Sequence, residues 1–225
     1  MIKIFHQFAI IVALFIITKQ SYSKDRYNCY YNGEKIEVQD INTFQILTDG
    51  YAKDRYKIYY LGEIIKESEC NSFTILDHGG YSKDSKNVYF RGKKIDGAIS
   101  SNFVALDDTT YAKDNRNVYY EGSAISGANY VSFRLLSNIE YAKDNKYIYF
   151  RGQKINEADV NTFAILDNTY YGKDGKNRVF YEGKKIAEDR AFQTLMNGYA
   201  KDSKNIYYYG EKVANADVNS FKILY

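Results

Sequence analysis

Proline and tryptophan are absent from the 225 residues, and cysteine, histidine and methionine occur twice each. The lack of proline leaves strand pairing unobstructed along the whole chain. The lack of tryptophan removes the strongest ring for stacking on sugars or gripping cations. Two cysteines, Cys29 and Cys70, stand at different points of the pattern described below and make no disulfide framework. Each reads as a small apolar residue in a core position, and export would leave a Cys29–Cys70 bridge chemically open. Paired cysteine spacing is missing and histidine is scarce, so a zinc site is not expected. Nor is there a one-sided charge: 31 basic against 28 acidic residues give +3. Nucleic-acid binding needs a concentrated basic face, and here Lys-Asp pairs cancel locally.

Long apolar runs are lacking too. The longest, Phe8 to Ile17, has ten residues, against the roughly 20 needed to cross a membrane. It follows Lys3 and precedes Ser21-Tyr22-Ser23, which puts small residues at both cleavage positions, the layout of a secretory signal peptide over residues 1–23. A retained anchor is the competing reading, and the run is short for it. The mature chain, 24–225, is then expected in the periplasm, at the cell surface or outside, without stable membrane insertion. It keeps 29 basic and 28 acidic residues. A cut after Ser23 removes Tyr22, so either the first repeat starts imperfectly or the cut falls earlier.

Tyrosine is what the chain has in abundance, with 25 residues. Tyr22, Tyr51, Tyr81, Tyr111, Tyr141, Tyr171 and Tyr199 each open a copy of one unit, at steps of 29, 30, 30, 30, 30 and 28. The unit reads Tyr-small-Lys-Asp, a polar stretch, (Val/Ile)-Tyr-(Tyr/Phe)-x-Gly, a polar run, then Phe-x-x-Leu. Seven copies fill 24–50, 51–80, 81–110, 111–140, 141–170, 171–198 and 199–225. Such a period marks a repeat architecture in which each unit buries its apolar face on its neighbours.

Within a unit, Tyr141 to Asp144 and Tyr147 to Phe150 read as strands, and Gln153 to Ile155 as a third. Asp144 and its equivalents suit a turn, where the side chain accepts backbone N–H groups ahead of it. The second turn, at Gly152 and its equivalents, is expected to be type II or type I with a bulge. A type I′ turn needs positive φ at both central residues, which Leu61, Arg91 and Glu121 resist. Asp159, with Asp40, Glu69, Asn129, Glu188 and Asp217, suggests one capped helical turn before Phe163-Ala-Ile-Leu166. The fold expected is all-β: tandem meander repeats with a short helical turn each, in an open solenoid-like array. A closed seven-bladed propeller-like ring is the alternative, because Phe221-Lys-Ile-Leu224 matches the segment that precedes Tyr-x-Lys-Asp in every interior repeat and is missing ahead of Tyr22.

Lys83-Asp-Ser-Lys-Asn-Val-Tyr-Phe-Arg-Gly92, echoed by Lys113-Asp-Asn-Arg-Asn-Val-Tyr-Tyr-Glu-Gly122, resembles the bacterial DKNYY repeat family over nearly all of 22–225. Repeat 6 departs from the pattern, where Arg178 adds a residue before Val179-Phe-Tyr181. The resemblance implies a bacterial repeat protein and brings no catalytic residues with it.

No constellation for catalysis stands out, and the chain is expected to be a non-enzyme without cofactor or metal. His78, in Asp77-His-Gly-Gly80, has no identifiable nucleophile. The Lys-Asp-x-x-Asn turn offers too few oxygens for calcium, beside a lysine that opposes it. Strand alternation turns the first aromatic of each pair away from the aliphatic residue: Tyr30, Tyr59, Tyr89, Tyr119, Tyr149, Phe180 and Tyr207. That row either packs against neighbouring repeats or presents rings to a glycan. Small residues at the second position, such as Ala52 and Ala142, favour packing against something bulky. The expected role is a binding or scaffolding module for another protein or an envelope glycan. Self-association through the chain ends is a further expectation.

Overall fold

A computed structural model describes residues 21–76, 79–107, 109–137, 140–167 and 169–224. The expected leader lies outside the described residues up to position 20, and His78 lies outside them as well. Tyr22 and Ser23 do not: they belong to the first strand, Tyr22–Lys24. A cut after Ser23 would remove two of its three residues.

The chain is all-β, and repeat 5 shows the plan. A leading strand, Tyr141–Lys143, pairs with an aromatic strand, Ile148–Phe150, which pairs with a return strand, Gln153–Ile155. The closing strand, Ala164–Ile165, leaves this meander and joins the leading strand of repeat 6, with Ile165 opposite Gly172. Each sheet is therefore offset from the sequence repeat by one strand. Among the described residues the first sheet has three strands, the other six have four, and none closes into a barrel. The chain forms two compact units, residues 1–64 and 65–225. The first holds two of the sheets and the second holds five. Among the described residues no helix is long and apolar enough to cross a membrane.

The glycine turn differs from the expectation. Phe150 pairs with Gln153, which leaves a two-residue loop, Arg151-Gly152, at φ 44 and 75. All seven such turns place both residues at positive φ, including Leu61 at 49, Glu121 at 47 and Tyr209 at 46. This is the type I′ pattern. Short twisted strands joined by two residues demand it, and that demand outweighs a left-handed cost of roughly 1–2 kcal/mol. The first residue's N–H is kept bonded, as in Arg151 to the Glu140 carbonyl at 3.0 Å.

The helical turn also differs. Among the described residues a single 3-10 turn forms, Ser100–Asn102, without a side-chain cap. The other connections are hydrogen-bonded turns too short to continue, yet their polar side chains do cap. Asn129 Oδ1 accepts from the Val131 and Ser132 N–H groups, both at 3.0 Å, and Asp159 Oδ1 accepts from Asn161 at 3.0 Å. In repeat 6 the cap is Asp189, bonded by the Ala191 N–H at 2.6 Å. Glu188 instead ends an extended return strand, Lys184–Glu188.

Within each unit successive sheets pack face to face, so the core runs between them. One cluster joins Tyr141, Ile148, Phe150 and Phe163 with Phe180 of the following repeat. The small second residue has its predicted reason. A Cβ on Gly172 would lie 2.2 Å from the Phe163 ring, and Ala142 packs in one cluster with Phe133.

Candidate functional site

The recurrent residues meet at the junctions between successive sheets, and the junction of repeats 4 and 5 is typical. Asp144 Oδ1 accepts the N–H groups of Lys146 and Tyr147, both at 2.7 Å. Its Oδ2 accepts the Tyr149 hydroxyl at 2.7 Å and the Asn129 N–H, from the preceding repeat, at 2.9 Å. Burial pushes this carboxyl upward, but the four donors outweigh burial and hold it below the ordinary carboxylate range. Burial, followed by the Asp144 carboxylate, pushes the Tyr149 hydroxyl upward. The motif lysine closes the same joint: Lys113 Nζ donates to the Tyr130 carbonyl at 3.3 Å.

The leading tyrosine bridges to the next repeat. Tyr111 donates its hydroxyl proton to the Glu140 carbonyl at 3.3 Å and accepts the Gly152 N–H at 2.8 Å. Tyr22 makes the same pair with Gly50 and Gly62, at 3.0 and 2.8 Å. Tyr81, Tyr141 and Tyr171 repeat it. A ring relay runs alongside. Phe133 lies 5.5 Å from Tyr111 and 5.5 Å from Tyr149, so it is gripped by rings from both repeats.

These contacts remove the sugar-stacking ladder. Tyr59, Tyr89, Tyr119, Tyr149, Phe180 and Tyr207 are at most 1% exposed. They pack against the Phe of a connection, as Tyr119 does on Phe103 and Tyr149 on Phe133. Tyr30 of the row is half-buried. Cys29 fills the core of that sheet with Phe44, Ala52 and Tyr59, and its unbridged thiol is pushed up by burial. Both oxygens of Asp54, Asp84, Asp114 and Asp144 carry protein donors, as do both of Asp174. Among the described residues no group of three or more His, Cys, Asp or Glu could hold a metal ion.

Repeat 6 solves a gap that sequence reasoning overlooked. Phe180 has no hydroxyl for Asp174, and the extra residue Arg178 supplies the donor, with Nε at 2.8 Å and Nη2 at 2.6 Å from Oδ2. The signal was available: the one Tyr-to-Phe change in this column falls in the one repeat with an inserted arginine. The tyrosine-to-glycine bridge had no such signal, because its partners lie 39 to 42 residues apart.

One open surface lies between successive return hairpins. A groove of about 720 Å³ runs between those of repeats 4 and 5, lined by Glu121, Ser123, Arg151, Gln153, Lys154 and Asn156 among others. Its cations are held in place. Arg151 Nε pairs with Glu140 at 3.1 Å, and its guanidinium lies 5.1 Å from the Phe150 ring. Lys154 Nζ sits 4.5 Å from the Tyr147 ring. The groove therefore presents oriented donors and acceptors of both charges on a rigid base.

Hairpin sheets joined in series by one recurring set of bonds define a tandem β-hairpin repeat protein. The chain belongs to the DKNYY family, whose profile matches residues 7–63, 22–146 and 111–225. No curated protein and no solved structure matches it.

Proposed function

We propose that the chain is an exported, non-catalytic scaffold of the bacterial envelope or exterior that binds a partner protein. One observation carries this reading. The residues with chemical capacity that recur in every repeat, Tyr, Lys and Asp, are consumed in joining sheet to sheet, as at Tyr111, Lys113 and Asp144. Chemistry spent on cohesion leaves shape and surface charge as the means of action, and the groove beside Arg151 and Lys154 is the surface of that kind. A glycan partner loses its main support with the burial of the ring row.

Export and binding are tested separately. Mass and N-terminal sequencing of the chain from its natural source should show removal of the apolar leader, with a start that leaves Tyr22 in place. A chain kept whole inside the cell would end the export reading. For binding, envelope extract is passed over the immobilised chain and over a Gln153→Ala, Lys154→Ala variant. Saturable capture of one protein, lost in the variant and unchanged by enzymatic glycan removal, is the expected result. Capture that vanishes with the glycans would replace the protein partner by a carbohydrate.

A further inference from the structure

Among the described residues, the first and last sheets each display one half of the junction that the interior makes whole. At the C-terminal face, Phe221 lies 5.2 Å from Tyr199, as each connection's Phe lies beside its leading tyrosine. Among the described residues no second ring completes the relay there. The Tyr199 hydroxyl has no hydrogen-bond partner among the described residues, whereas Tyr111 and Tyr171 each have two. Tyr208 is 44% exposed, although a turn glycine covers its counterpart Tyr120, where a Cβ on Gly152 would come within 2.7 Å. The segment 221–224 has the sequence of a closing strand but forms no strand.

The N-terminal face lacks just those parts. Among the described residues the first sheet has three strands and nothing pairs with the outer edge of Tyr22–Lys24, where every other sheet carries a closing strand. Among them, too, nothing lies within 4 Å of a Cβ built on Gly33. Tyr30 is half-buried, while Tyr149, its counterpart, is buried beneath Phe133.

We infer that a second copy of this chain docks head to tail, the segment 221–224 of one copy adding the fourth strand to the first sheet of the next. The occupant is specified by the interior: the same hydrogen-bond pair and ring relay already join repeats at five junctions. The register follows from Ala164 opposite Lys173 and Ile165 opposite Gly172. It sets Lys222 against Lys24 and Ile223 against Ser23, places Phe221 on Tyr30, and gives the Tyr199 hydroxyl the Gly33 N–H. The like-charged lysines are no obstacle, since Arg134 faces Lys143 in the interior. An open sheet edge is a template for such pairing, and a head-to-tail contact propagates into chains or rings of copies. The inference goes beyond the proposed function and does not depend on it.

The test uses the purified chain with Tyr22 retained. Sedimentation should show an average mass rising with concentration, and Ile223→Asp should weaken the association at least about tenfold, or about 1.4 kcal/mol, with the melting temperature unchanged. Mixing Ser23→Cys with Ile223→Cys under mild oxidation should yield a disulfide between the two chains, located by mass spectrometry. A strict monomer at high concentration, with no cross-link on mixing, would overturn the inference. So would rapid formation of that bond inside a single chain carrying both substitutions at high dilution, which would mean that the ends satisfy one another.

Discussion

Removing the same atom from two tyrosines of this chain should have opposite effects. The Tyr149 hydroxyl donates to Asp144, so Tyr149→Phe leaves a buried carboxylate one donor short. The expected cost is about 1–3 kcal/mol. Among the described residues the Tyr31 hydroxyl is buried with no hydrogen-bond partner, and equivalent positions are already Phe90 and Phe150. Tyr31→Phe relieves an unsatisfied polar group and should be neutral or stabilising by up to about 1 kcal/mol. Urea unfolding midpoints of the two variants measure both, and equal shifts in one direction would refute the assignment. Phe180 makes the same point from nature's side: where the hydroxyl is missing, Arg178 takes up its acceptor.

At the scale of the element, the type I′ turn does more than reverse the chain. Gly152 carries φ 75, and a Cβ there would come within 2.7 Å of the Tyr120 Cβ and 2.8 Å of its ring. Gly152→Ala should cost about 2–4 kcal/mol, from left-handed strain plus overpacking against the neighbouring repeat. Gly97 has φ 77 but open space around it, so Gly97→Ala should cost about 1–2 kcal/mol, the strain alone. Thermal melts of the two separate these causes. Strands, period and the capping role of Asp were legible in the sequence because each acts within a few residues. The turn type was not, because propensity at Leu61 or Glu121 argues against a conformation that strand twist and the next repeat impose. The burial of the ring row was favoured by the small second residues but not decided by the sequence. Alternation separates two faces of a strand, but it does not say that both will be covered. The single-repeat reading likewise gave no view of the groove beside Arg151, whose walls come from two hairpins.

Across the whole molecule the junctions act in parallel, and pH should expose them together. Asp54, Asp84, Asp114, Asp144 and Asp202 are all held below the ordinary carboxylate value: burial raises them, and their hydrogen bonds outweigh it. Their contribution to stability is complete above about pH 4, the unfolded value, and is lost as pH falls through the lower folded values. The tyrosines run the other way. Burial pushes Tyr22, Tyr119 and Tyr181 up to about 12 and raises Tyr59, Tyr81, Tyr111 and Tyr149 as well. Their contribution is complete below about pH 10, where unfolded phenols begin to ionise, and declines as pH rises through the folded values. Stability should therefore form a plateau between about pH 5 and 9, with a loss on each side. Unfolding midpoints across this range, with tyrosinate absorbance on the alkaline limb, measure it. Tyr149→Phe removes one raised phenol and one donor to Asp144, so it should make both limbs shallower. A change confined to the alkaline limb would show that the hydroxyl and the carboxylate are not coupled in the folded chain.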